Sequence, residues 1–246
     1  MSLVNYEELK REIIGISLPR PQTRELSGHT VGSVFEEVIY NKIKQKLPQH
    51  TFRQYEYLND LRIHNFRYNS YSEEFLLSRS KEATNEWDNN HLFKEKQNDT
   101  ADMLVVSNGF CEIIDVKTKK IFTGGGRPPN IISAYKLAQV CAIMLENNEF
   151  NDFTISYFEI DWKEQFNELV CIDARVVNLF KANPEHLYIN WTAGKQIQVS
   201  LFSLKQNFNG TMEEWSRKYL KHFMTKFKEN EINQRVKFVT PFEKYL

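Results

Sequence analysis

Asp102-Met-Leu-Val-Val-Ser-Asn-Gly-Phe-Cys-Glu-Ile-Ile-Asp115-Val-Lys117 carries two apolar runs separated by Asn108-Gly109. Asn-Gly between alternating apolar segments is a strong hairpin signal, because both turn positions accept positive φ. With those two residues as the loop, Asp102 faces Asp115 across the ladder. Directly opposed strand residues have Cβ atoms ~4.5–5.5 Å apart. Two carboxylates therefore meet on one face, and Lys117, two residues beyond Asp115, points to that face as well. Opposed like charges are unfavourable on a sheet, so the pair calls for a compensating cation.

Two readings follow. In the plainer one, Asp115 and Lys117 form a salt-bridged strand face, which is common and weak. In the other, the set is a metal site, since Asp115 interrupts the buried-looking run Phe110-Cys-Glu-Ile-Ile-Asp-Val. The matching chemistry is metal-assisted phosphodiester hydrolysis. Mg2+ takes one or two carboxylates plus waters and phosphate oxygens, which suits Asp102, Asp115 and the backbone carbonyl of Val116. Lys117 is placed to hydrogen-bond the attacking water and offset developing negative charge.

The rest of the chain narrows the class. Its 246 residues suffice for one large domain, 1–246, and its 41% hydrophobic and 26% charged content is that of a globular protein. No apolar run approaches membrane-spanning length, and the acidic N-terminus lacks a signal-peptide core. Cys111, Cys141 and Cys171 read as buried reduced thiols, which suits a cytoplasmic location. The net charge of zero gives no general sign of nucleic-acid binding. Locally, however, Lys117, Lys119, Lys120, Arg127 and Lys136 lie in a stretch, 116–145, that contains no acid. Such a stripe beside a carboxylate pair is compatible with a phosphate backbone.

Periodicity predicts helices over 3–15, 31–47, 131–147 and 211–228. Ser33-x-x-Glu36 and Thr211-x-x-Glu214 read as capping boxes for the second and last of these. Strands are predicted at 153–160, 168–172, 187–191 and 195–202. Residues 50–100 are polar and aromatic-rich, with a helix expected near 73–78, and read as a DNA-binding elaboration on the core. This order implies an α/β (α+β) fold, a mixed β-sheet flanked by helices on both faces. Other motifs are thin. Gly124-Gly-Gly126 lacks the Gly-Lys-Ser/Thr of a phosphate loop, and the six histidines show no metal-ligand spacing.

Asp102…Asp115-Val-Lys117 also fits the PD-(D/E)XK nuclease pattern. Blocks along the whole chain carry a closer likeness. They include Gln54-Tyr-Glu-Tyr-Leu-Asn-Asp-Leu, Glu95-Lys-Gln-Asn-Asp-Thr-Ala-Asp102, Asn130-Ile-Ile-Ser-Ala-Tyr-Lys-Leu-Ala-Gln, Leu187-Tyr-Ile-Asn-Trp and Tyr219-Leu-Lys-His-Phe. Through them the chain resembles the type II restriction endonucleases of the HincII kind. The resemblance implies a restriction-endonuclease-like fold in a bacterial, homodimeric enzyme that requires Mg2+, with Mn2+ able to substitute. It implies blunt-ended cleavage of double-stranded DNA at a palindromic GTYRAC-like site, alongside a cognate DNA methyltransferase that protects the host.

By position, the likeness gives Asp102 and Asp115 metal-ligand roles and Lys117 the catalytic-lysine role. It directs Lys81, Gln97, Thr118, Lys119, Asn130 and Asn190 toward DNA. The departure is Gly124-Gly-Gly-Arg127-Pro128-Pro129-Asn130, one residue longer than the family loop whose glutamine wedges into the duplex. Arg127 stands nearest that wedge position, so a narrower site such as GTTAAC stays open. Two further alternatives are a repair-type PD-(D/E)XK nuclease without sequence preference and a DNA-binding homologue that has lost cleavage.

Overall fold

The computed structural model describes residues 2–22, 28–64, 66–78, 100–121, 128–243 and 245. Lys81, Gln97 and Arg127 lie outside the described residues.

The hairpin forms as its sequence dictates. Asn108 and Gly109 take φ of 51° and 75°, the signature of a turn that follows the strand twist. Strand β3 (Met103–Ser107) pairs antiparallel with β4 (Phe110–Lys120), Met103 opposite Ile114 and Ser107 opposite Phe110. The expected register is therefore the observed one, with Asp102 immediately before β3.

Numbering the remaining strands in chain order gives β1 (Ser17–Pro19), β2 (Thr51–Phe52), β5 (Asn130–Ser133), β6 (Phe153–Gln165), β7 (Glu168–Asn178), β8 (Ile189–Asn190) and β9 (Gln196–Gln198). Six strands form one mixed sheet in the order β1-β7-β6-β4-β3-β2. The β4–β6 pair is parallel, and each other neighbouring pair is antiparallel. A parallel pair needs a crossover, and the helix Ala134–Asn147 provides it. A second sheet, β5-β9-β8, sits on that crossover.

Alternation along the strands divides the core in two. Met103, Val105, Ile114, Val116, Phe158 and Ile160 pack with Leu9 and Ile13 of helix Tyr6–Ile13 and with Val31, Phe35, Ile39 and Ile43 of helix Gly28–Lys46. Leu104, Cys111, Ile113, Ile155 and Tyr157 pack with Leu137, Val140, Cys141 and Met144 of the crossover helix, and with Trp215 and Tyr219 of helix Met212–Phe238. Helices thus cover both faces, as expected, and all three cysteines are buried thiols. Among the described residues no helix is long and apolar enough to cross a membrane.

Several elements differ from expectation. The helix expected over 31–47 starts at Gly28, so Ser33 is interior and donates its hydroxyl to the Thr30 carbonyl at 2.9 Å. Its capping box with Glu36 is not formed. The one at Thr211 is: its hydroxyl accepts from the N–H of Glu214, whose carboxylate accepts from the N–H of Thr211. Residues 131–133, expected to be helical, belong to the strand Asn130–Ser133 because Ile131-Ile132 suits a pleated surface and Ser133 caps the helix that follows. A helix not expected from periodicity spans Gln54–His64. Its Tyr57 and Leu61, with Leu76 and Leu77 of helix Tyr71–Leu77, join the main core, so this part of 50–100 is built into the fold.

Candidate active site

Asp102 and Asp115 meet at the open end of the β3–β4 hairpin. The Asp102 N–H donates to the Ile114 carbonyl at 3.1 Å, continuing the ladder one residue past β3. One Asp102 carboxylate oxygen accepts the Val116 N–H at 2.6 Å. The N–H and C=O of a strand residue point to the same side, so the Val116 carbonyl faces the Asp102 edge too. Asp115 lies on the sheet face of Ile113 and Tyr157 and is only 8% exposed. The Lys117 Nζ donates to one Asp115 oxygen at 2.8 Å and lies 2.6 Å from the other.

The electrostatics are those of two acids sharing too little charge compensation. Burial pushes the Asp115 carboxyl well above the usual carboxylate range; the Lys117 ammonium opposes this and the Asp102 charge adds to it. Burial acts to lower Lys117, but Asp115, Asp102 and Glu36 outweigh it, so its pKa is raised and it stays an ammonium. Two carboxylates in one place, with Asp115 held protonation-prone by burial, form a set that a hard divalent cation would relieve. Among the described residues there is no group of three or more His, Cys, Asp or Glu placed to hold a metal. Mg2+ needs no such cage, since waters and phosphate oxygens fill most of its positions.

One neighbour escaped the sequence reading. Glu36, assigned to a helix cap, faces this site instead, its carboxyl pushed up to about 7 by burial and by Asp102, against the pull of Arg53. Arg53 bonds the Glu36 carboxylate, donates to the Asp102 carbonyl at 3.1 Å, and stacks on the Tyr40 ring 4.0 Å from its centroid. The helix starts a turn earlier than Ser33 suggests, which leaves Glu36 free of a cap and held by Arg53 beside Asp102.

The remaining candidates divide. Thr118 and Lys119 continue β4, with Lys119 on the face of Asp115 and Lys117 and close enough to influence Glu159. Part of the basic stripe is spent inside the protein: Lys120 lies 3.4 Å from Glu164 and over the Trp162 ring, and the Lys136 Nζ donates to the Thr100 hydroxyl. Asn130 and Asn190 are brought together on the small sheet, on strands that flank β9. Asn130 is exposed. The Asn190 carbonyl oxygen accepts from the Thr192 N–H and hydroxyl and from the Ala193 N–H, closing the turn that follows β8.

The carboxylate pair and the lysine lie in a chain whose sequence matches known proteins. The family model described as "Restriction endonuclease HincII" matches residues 9–246. The type II restriction enzyme HindII of Haemophilus influenzae (strain ATCC 51907 / DSM 11121 / KW20 / Rd) is 48% identical, the match covering 98% of this chain and 97% of that one. The type II restriction enzyme HincII of Haemophilus influenzae is 47% identical over the same shares. The chain belongs to the HincII restriction endonuclease family. Asp102, Asp115 and Lys117 all lie within the matched residues. Of the loop 124–129 singled out in the sequence, residues 124–127 lie outside those described.

Proposed function

We propose that the protein is a Mg2+-dependent type II restriction endonuclease that cuts double-stranded DNA at a palindromic six-base site of GTYRAC type and leaves blunt ends. The observation that carries this reading is buried Asp115 beside Asp102, with Lys117 bonded to Asp115, within a chain that matches the HincII family over nearly its whole length. Asp102, Asp115 and the Val116 carbonyl would hold the ion. The chemistry that Mg2+ supplies in such a set is positive charge opposite the phosphate oxygens and a more acidic water.

The chain's own residues do the rest. Asp115 positions the Lys117 ammonium by a bond that also keeps it charged. As a cation Lys117 orients a water by donating a hydrogen bond and stabilises negative charge that builds on phosphorus; it is not the base. Val116 fixes the Asp102 rotamer through its N–H. Lys81, Gln97, Thr118, Lys119, Arg127 and Asn130 contact DNA in this reading. Two copies related by a two-fold axis match the symmetry of a palindrome, and a cognate methyltransferase guards the host's own sites.

Incubation with plasmid and Mg2+ should give discrete blunt fragments, and chelation with EDTA should stop the reaction. Asp115→Ala should abolish cutting while Ca2+-supported binding to the same DNA persists. Undiminished cutting by Asp115→Ala would falsify the assignment of the site. Smeared products would favour a repair-type nuclease, and a gel shift without cleavage a binding protein.

A further inference from the structure

Gln198 stands in the middle of the small sheet, and the sequence gives no reason to single it out. Its register partner on β5 is Asn130, and its N–H donates to the Tyr188 carbonyl at 2.9 Å. Asn130, Gln198 and Tyr188 therefore form one row across three strands. Ile132, Ile189 and Ile197, the alternate positions, are buried in the core beneath. Asn130 is exposed, Tyr188 is 63% exposed, and Gln198 lies half-buried between them.

Asn190 sets which way the Gln198 amide points. The Asn190 Oδ1 accepts from the backbone N–H groups of Thr192 and Ala193, at 3.1 and 3.2 Å. A backbone N–H can only donate, so the oxygen of that amide is identified by its partners. The Asn190 Nδ2 is then turned toward Gln198 and donates to its Oε1 at 3.0 Å. A glutamine that accepts through its oxygen turns its NH2 group away from that partner. The turn after β8 thus orders the polarity of two amides in succession.

The row is tied to the cleavage site. Ser133, at the end of β5, caps the crossover helix by accepting from the Lys136 N–H at 3.3 Å. The Lys136 side chain donates to Thr100, two residues before Asp102. Asp115 and the small sheet also share one face of the main sheet, since Ile131, Ile132, Ile189 and Ile197 pack into the same core as Ile113 and Tyr157.

We propose that Gln198 is a specificity-determining residue that donates from its NH2 to an acceptor on a base edge, with Asn190 as the positioning residue that fixes its polarity. This rests on the restriction-endonuclease reading above. Acceptors of that kind are purine N7, guanine O6 and thymine O4.

The test measures kcat/KM for wild type, Gln198→Ala and Gln198→Glu on the site found by sequencing wild-type ends, and on every single-base-pair variant of that site. Gln198→Ala should lose roughly 5- to 100-fold of discrimination at one symmetry-related position and leave the other positions unchanged. Gln198→Glu keeps the acceptor for Asn190 but exposes an oxygen instead of an NH2, so preference at that position should move toward a base that donates there. Melting temperatures of both variants, measured beside wild type, separate recognition from folding. A fall that is uniform over all positions, or confined to Tm, would overturn the inference while discrete wild-type fragments leave the enzyme reading standing. Wild-type digestion without discrete fragments would overturn both.

Discussion

Lys117 is held as an ammonium by the carboxylates around it, and that gives it a testable role. Lys117→Met should lower kcat by about 10²–10⁴-fold while binding, measured by gel shift with Ca2+, stays within a few fold. Glu159 supplies a residue-scale prediction about stability. It is 1% exposed, neither of its oxygens has a hydrogen-bond partner among the described residues, and its nearest countercharge is Arg175 at 3.4 Å. Burial raises its pKa, against the opposing pull of Arg175. A carboxyl raised in the fold favours folding below its unfolded pKa and loses that contribution as pH climbs through the folded value. Glu159→Gln should therefore flatten the decline in urea-unfolding stability above about pH 4.5, and stabilise the protein at pH 8 relative to wild type. Asp102, Asp115 and Lys117 were legible in the sequence because a two-residue turn relates them. Glu36 and Gln198 were not, because the first is joined to the site through Arg53, just before another helix, and the second depends on a strand pair far apart in sequence.

Among the elements, the β3–β4 hairpin joins fold to site most directly. Gly109 sits at φ 75° with its nearest neighbour, the Asn69 side chain, 4.0 Å from where a Cβ would stand. Gly109→Ala should thus cost backbone strain and no clash, about 1–2 kcal/mol, seen as a Tm lower by a few degrees. The same patterns that located this hairpin misjudged helix ends. Helix Met212–Phe238 runs ten residues past the expected stop, because its buried stripe of Trp215 and Tyr219, continued by half-buried Phe223, gives out before the helix does. Beyond it Ile232, Val236 and Phe238 are exposed, so backbone bonding and local pairs sustain the helix there without core burial to mark it. The 131–133 segment failed in the opposite sense: its apolar residues fit a helical period, and only pairing with β9, remote in sequence, makes them strand.

At the scale of the whole molecule, one chain presents one Asp102–Asp115–Lys117 set, and a duplex has two strands. If two copies act on one palindrome, wild type mixed and re-equilibrated with excess Asp115→Ala should accumulate nicked circles in place of linear DNA, read directly on agarose. Fold class and helices on both faces followed from the order of the elements. The second sheet did not, because its β8 and β9 strands are two and three residues long and make sense only after β5 is placed beside them. That arrangement has a consequence for the order of folding. Closing a loop costs entropy that grows with its length, and the carboxylate pair closes across a short hairpin. Asn130 and Gln198 close across the crossover helix and both long strands, β6 and β7. The groups proposed to cut are thus assembled by the chain's cheapest local event, and those of the proposed recognition row by one of its most distant. During refolding the hairpin should gain protection from hydrogen exchange before the β5–β9 ladder, leaving a brief interval in which the carboxylates are paired and the surface that would choose their substrate is not yet built.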